Sequence, residues 1–123
     1  MFKIGILLGA GFCGLSVVIG AFVAHALKGK LSDYGVLIFD KALFYHVFHA
    51  LAILFISILE YNISELSLNV CVIIFSFGII LFSGSLYILA VTNIKWLGMI
   101  TPIGGIMFIL GWSLLFIKVL KLN

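Results

Sequence analysis

The sequence is poor in charge: only 9% of its 123 residues are Asp, Glu, Lys or Arg, against about a quarter in a soluble domain. So few charges cannot cover a water-exposed surface, which excludes a soluble globular fold and makes lipid the solvent. Arg is absent, and all seven basic residues are Lys. They lie scattered near the ends of apolar runs and form no basic stripe, which argues against nucleic acid as a partner. Their pattern fits interfacial anchoring by snorkelling. Cysteine is scarce. Cys13 and Cys71 sit inside apolar runs, without the spacing of a metal or redox pair. Their depths in a bilayer differ by roughly 9 Å at about 1.5 Å per residue, which disfavours a disulfide. Both read as small buried apolar residues.

What is present is hydrophobic length: 65% of the chain is hydrophobic. Four runs are each long enough to cross a hydrocarbon core, at about 20 residues per helix. They cover about 4–27, 40–59, 68–92 and 96–119. Lys28–Asp33, Glu60–Ser67 and Asn93-Ile94-Lys95 are the polar links, and 34–39 is an ambiguous, interfacial stretch. Nothing is left for a soluble domain, so residues 1–123 read as one transmembrane domain. The first run, with Lys3 before it and Ala24-His25-Ala26 near its end, imitates a secretion signal. It exceeds the about 7–15 residues of a signal's apolar region, and a retained first helix is expected. Short links favour antiparallel neighbours, hence an all-α, four-helix up-down bundle. Lys3, Lys118 and Lys121 then face one side, and Lys28, Lys30, Lys41 and Lys95 the other, a balance too even to orient the chain.

Span one carries Gly5, Gly9, Cys13, Ser16, Gly20 and Ala24 at steps of three and four, all on one face. Such a face allows close helix approach. It serves either packing within the bundle or docking of a second copy or another subunit. In span four, Pro102 follows Thr101 and precedes Gly104 and Gly105. Pro102 implies a kink, or a helix that starts there after a short lead.

Polar residues are uneven in depth. His25, Tyr45, His46, His49, Ser83, Ser85, Tyr87 and Thr101 all fall within roughly 15 Å of one membrane face. The other half holds mainly Ser57, Ser76 and Ser113. Polar groups in lipid are costly and mark candidate sites. His46 and His49 are three apart, and Ser76, Ser83 and Tyr87 recur at helical steps, so a small polar cavity open to one interface is expected. Three readings stand for the histidines: structural hydrogen bonding; a proton, quinone or small-molecule site; or metal or haem ligation, His25 pairing with His46 or His49. No acid is placed to complete a closed metal site, or to orient a histidine for Ser83 or Ser85 as a hydrolase requires. No cofactor is assigned, and no catalytic machinery is recognisable.

Four segments carry a resemblance: Gly20-Ala21-Phe22-Val23-Ala24-His25-Ala26-Leu27, Tyr45-His46-Val47-Phe48-His49-Ala50-Leu51, Leu81-Phe82-Ser83-Gly84-Ser85-Leu86-Tyr87, and Thr101-Pro102-Ile103-Gly104-Gly105. Over nearly its whole length the chain resembles the domain-of-unknown-function 423 family of small four-helix membrane proteins. The resemblance implies four spans and, for a bacterial member, the cytoplasmic membrane. It implies no activity. Gln is frequent in that family where this chain has His46, which implies that His25 with His49 is the better candidate ligand pair. The expected function is therefore non-enzymatic: an accessory or scaffold protein in the bilayer, associating with itself or another membrane subunit. The alternative is a binding or transport protein using the polar layer for a proton, quinone, haem or metal.

Overall fold

The computed structural model describes residues 2–122, and among them there are four membrane-length helices and no strand. We number them α1 (Phe2–Ala26), α2 (Asp33–Asn62), α3 (Asn69–Thr92) and α4 (Thr101–Leu120). The bundle is all-α. α1 stops before Gly29, which takes a left-handed φ of 71°, a conformation open to glycine at no steric cost. α2 begins earlier than the apolar pattern suggests. Ser32 caps it, its Oγ accepting from Gly35 N at 3.0 Å, and Asp33 complements the positive end of the helix. The stretch 34–39 is therefore helical and belongs to this span.

The link between α2 and α3 is tied by Glu60. Its carboxylate accepts from Leu68 N at 3.1 Å, and, with the Asn69 amide turned so that its nitrogen faces Glu60, from that nitrogen at 3.0 and 3.1 Å. α3 ends at Asn93, with φ 56°, the left-handed capping role that Asn tolerates better than other side chains. A 3-10 turn, Lys95–Met99, leads into α4. Pro102 stands in the first turn of α4, where its missing N–H breaks no helical bond. Of the two expectations for Pro102, the structure has the helix start and not the mid-span kink.

α2 and α3 form the central pair, each 44% buried over its most apolar stretch, against 11% for α1 and 17% for α4. α1 packs on α2 and α4 packs on α3. In lipid the hydrophobic effect does not distinguish a neighbouring helix from an acyl chain, so close packing decides who sits where. The small-residue face of α1 is used in this way. Gly5 lies against Ser57, Gly9 against Leu54 and Gly20 against Leu43. Ser16 is buried, but Ala24 is exposed, so the stripe breaks contact before its end.

The α3–α4 seam interlocks glycine with phenylalanine. Phe108 of α4 fits over Gly78, Phe75 of α3 fits over Gly111, and the backbone of Phe82 lies on Gly104. Between Gly78 and Gly84, α3 makes a π-helical turn, Ile79–Ser83. Such a turn inserts one residue and re-aims the side chains beyond it. Ser76, Ser83 and Tyr87 therefore do not form the straight stripe that their spacing suggests.

Two adjacent glycines should behave oppositely. A Cβ on Gly104 would strike the backbone of Phe82, which cannot swing aside, whereas one on Gly105 would sit at an ordinary 3.7 Å from the Phe82 ring. Gly104→Ala is expected to lower stability by about 2 kcal/mol or more, and Gly105→Ala to change it by less than about 0.5 kcal/mol. Reversible unfolding in mixed micelles measures both.

Candidate functional site

The polar layer is a set of inter-helix ties. Ser83 Oγ, fully buried, donates to the Ala42 carbonyl across the α2–α3 seam at 2.7 Å. Ser85 Oγ donates to the Phe82 carbonyl at 3.0 Å and lies 2.7 Å from Thr101 Oγ1. The single Ser85 proton is thus committed, and Thr101 is the donor of the α3–α4 bond. His46 Nδ1 meets Tyr87 Oη at 2.9 Å, joining α2 to α3.

His49 is held on both sides. Its Nδ1 lies 2.8 Å from the Tyr45 carbonyl, which can only accept. Its Nε2 receives the Trp112 indole N–H at 3.1 Å, which can only donate. These two partners fix a neutral imidazole with its proton on Nδ1. The ring stacks on Phe108 with centroids 3.5 Å apart and planes 8° apart.

The histidines diverge although they are three residues apart. His46 turns toward Tyr87 and the ring of Phe12 on α1. His49 turns toward Phe108 and Trp112 on α4. They share no partner. His25 is exposed at the end of α1 and joins neither, so the pairing of His25 with His46 or His49 is not assembled. Among the described residues no three of His, Cys, Asp or Glu come together as a metal-holding group. The buried His46 Nε2 has no hydrogen-bond partner.

The expected polar cavity is replaced by an aromatic one. A cleft of about 610 Å³ opens sideways between α2 and α4. Phe44, Tyr45 and Phe48 form one wall, Gly105, Ile106 and Ile109 the other, and His49, Phe82, Phe108 and Trp112 lie between. Of the polar-layer residues, Tyr45 and His49 line it, and Ser83, Ser85, Tyr87, His46 and Thr101 do not. Both His49 nitrogens are already engaged, so the cleft offers a ligand chiefly apolar contact. Its volume falls within the about 300–1,000 Å³ of small-molecule sites.

Trp112 is the residue that counting depth missed. Tryptophan belongs at membrane interfaces, yet this one lies at the middle of α4. An indole N–H at that depth needs an acceptor, and that was the available signal. The π-helical turn had no comparable signal in the residue pattern.

Residues 19–105 match the family described as a protein of unknown function (DUF423). The chain is 46% identical over 119 residues to a UPF0382 membrane protein of Staphylococcus aureus, covering 97% of each. Identity to a UPF0382 membrane protein of Staphylococcus epidermidis is also 46%, with 97% of each covered. It is 41% to the UPF0382 membrane protein YwdK of Bacillus subtilis, covering 97% of this chain and 98% of that one. No solved structure matches.

Tyr87→Phe removes the side-chain partner of His46 and is expected to cost about 1–2 kcal/mol, the scale of an interhelical bond plus an orphaned buried nitrogen. His25→Ala, at an exposed position, is expected to leave the unfolding midpoint unchanged. Paired denaturation curves check the contrast.

Proposed function

The chain belongs to the DUF423 family of membrane proteins of unknown function, and on that premise we propose that it is a non-catalytic binding protein of the bacterial cytoplasmic membrane. In this reading a lipophilic molecule enters sideways from the bilayer into the α2–α4 cleft. One observation carries it: an aromatic hollow of about 610 Å³ persists beside a buried, fully hydrogen-bonded His49. A packing defect of that size would ordinarily be closed by side-chain rearrangement. Here the walls are braced. His49 is pinned at both nitrogens, and Phe108 is pinned between His49 and Gly78. A preformed site needs less reorganisation on binding.

Flat rings and acyl or isoprenoid chains suit such walls, because they gain dispersion contact without asking for hydrogen bonds. The site suits a metal or haem poorly, since no second imidazole faces His49. A quinone is compatible by its shape, and Tyr45 is the hydroxyl-bearing side chain among those that line the cleft.

A second reading is an accessory or scaffold role through helix association. It is favoured by the outward face of α1, where Gly11 and Gly14 have no neighbour within 4 Å. The inward stripe from Gly5 to Gly20 is already occupied by α2 and does not support it. On this reading Gly14→Leu should abolish a crosslinked dimer or heteromer while leaving the fold intact.

Native mass spectrometry of protein extracted gently from its own membrane tests the first reading. A stoichiometric lipophilic mass is expected on the parent protein. It should be lost from Gly105→Leu, whose side chain fills the cleft. A bare parent protein, or the same mass retained in a folded Gly105→Leu, would overturn the cleft as the site.

A further inference from the structure

Where α4 ends, charges of both signs share one hollow. It measures about 420 Å³ and is lined by Lys118 and Lys121, by Glu65 and Ser67 of the α2–α3 link, and by Leu66 and Leu122. Lys118 stands in the last turn of α4 and Lys121 just past it, three residues apart and so on one face. The hollow lies at the end of the bundle, at the level of lipid headgroups and not of acyl chains. Leu66, which helps to line it, belongs to the buried core, so the hollow abuts the packed part of the bundle.

The charges do not pair with one another. Among the described residues neither lysine comes within 4.0 Å of a carboxylate oxygen. Opposite charges set around one space, without closing on each other, suit a group that carries both signs. Snorkelling explains lysines that reach outward to the interface. It does not explain why Lys118 is half-buried, or why a carboxylate stands in the same hollow. The α4 dipole favours lysines at this end but gives no reason for Glu65.

We infer that the hollow binds the headgroup of an aminophospholipid, with its phosphate at Lys118 and Lys121 and its primary ammonium at Glu65 and Ser67. Charge complementarity selects this class. An anionic headgroup without an amine satisfies the lysines but brings its negative charge toward Glu65. A choline headgroup carries the right charges, but its quaternary nitrogen has no N–H to give, whereas a primary ammonium has three. The acyl chains need no groove, because the bilayer surrounds the mouth of the hollow. The inference is independent of the α2–α4 cleft, which shares no lining residue with this hollow.

Native mass spectrometry tests it. The purified protein is titrated in detergent with phosphatidylethanolamine, phosphatidylcholine and phosphatidylglycerol of identical chains, which gives a binding constant for each. Phosphatidylethanolamine is expected to bind tightest, about threefold above phosphatidylcholine, the scale of one exposed ion pair. In Glu65→Gln that ratio should fall to near unity, and phosphatidylglycerol should become the preferred lipid. Lys118→Ala/Lys121→Ala should weaken all three lipids, whereas Lys28→Ala/Lys30→Ala, at the opposite end of the bundle, should weaken none. Excess glycerophosphoethanolamine, the same headgroup without chains, should leave the bound lipid in place. A parent ratio near unity, a ratio unchanged in Glu65→Gln, or equal weakening by the two lysine pairs would overturn the site. Phosphatidylglycerol binding tightest to the parent would reduce the lysines to a plain anion anchor and overturn the aminophospholipid. Displacement by the chain-free headgroup would overturn the lipid in favour of a soluble zwitterion.

Discussion

The seam between α3 and α4 governs this molecule. In a bilayer, apolar burial gives a helix no reason to prefer protein over lipid, so backbone approach and shape decide. Gly78 receives Phe108, Gly111 receives Phe75, and Gly104 lies on the backbone of Phe82. These three contacts draw α4 against α3 and away from α2. The space left between α2 and α4 cannot be filled by backbone. It is bridged by long side chains alone, with His49 at their centre. The stack on Phe108 and the bond from Trp112 hold α4 at that distance. The cleft is thus a consequence of the glycine seam: a closer α4 would erase it, and a looser one would break the His49 contacts.

The same solvent explains the polar layer. A serine or histidine in hydrocarbon must find a partner inside the protein. Ser83 finds the Ala42 carbonyl, Thr101 finds Ser85, and Tyr87 finds His46. These bonds join the helices in pairs and fix their rotation. The π-helical turn at Ile79–Ser83 precedes two of these polar residues, Ser85 and Tyr87, and ends on a third, Ser83. The extra residue turns Ser83 toward α2 and leaves Ser85 facing α4. Among the buried side chains of the described residues, His46 keeps a nitrogen without a hydrogen-bond partner, on the side where Phe12 of α1 meets its ring.

The fold was largely legible in the residues because lipid imposes simple rules. Charge scarcity and run length indicate four spans, and the small-residue steps of α1 identify the face that α2 covers. The starts of α2 and α4 were less clear, since they depend on Ser32 as a cap and on Pro102 in a first turn, local devices that hydropathy does not register. For the candidate site, the sequence named polar residues along the helices but could not say how they pair. Depth along a helix comes from counting, whereas rotation about it depends on the π-helical turn and on packing partners distant in sequence. His25 shares the depth of the layer and yet is exposed. Trp112 is outside the layer and yet completes it. A polar cavity was the natural expectation from so many hydroxyls and imidazoles. Their mutual pairing leaves an aromatic hollow instead.

A membrane bundle whose polar groups are consumed internally has its surface chemistry in what it offers to lipid. The α2–α4 cleft is then the privileged part of that surface. The most direct test is photolabelling with a diazirine-bearing acyl chain in native-like membranes, with mass-spectrometric mapping of the adducts. Adducts are predicted to concentrate on Tyr45, Phe48, Ile109 and Trp112, well above those on Ile4 and Val17, exposed residues of α1. Labelling spread evenly over both faces would contradict a privileged cleft, and would make it ordinary lipid-facing surface.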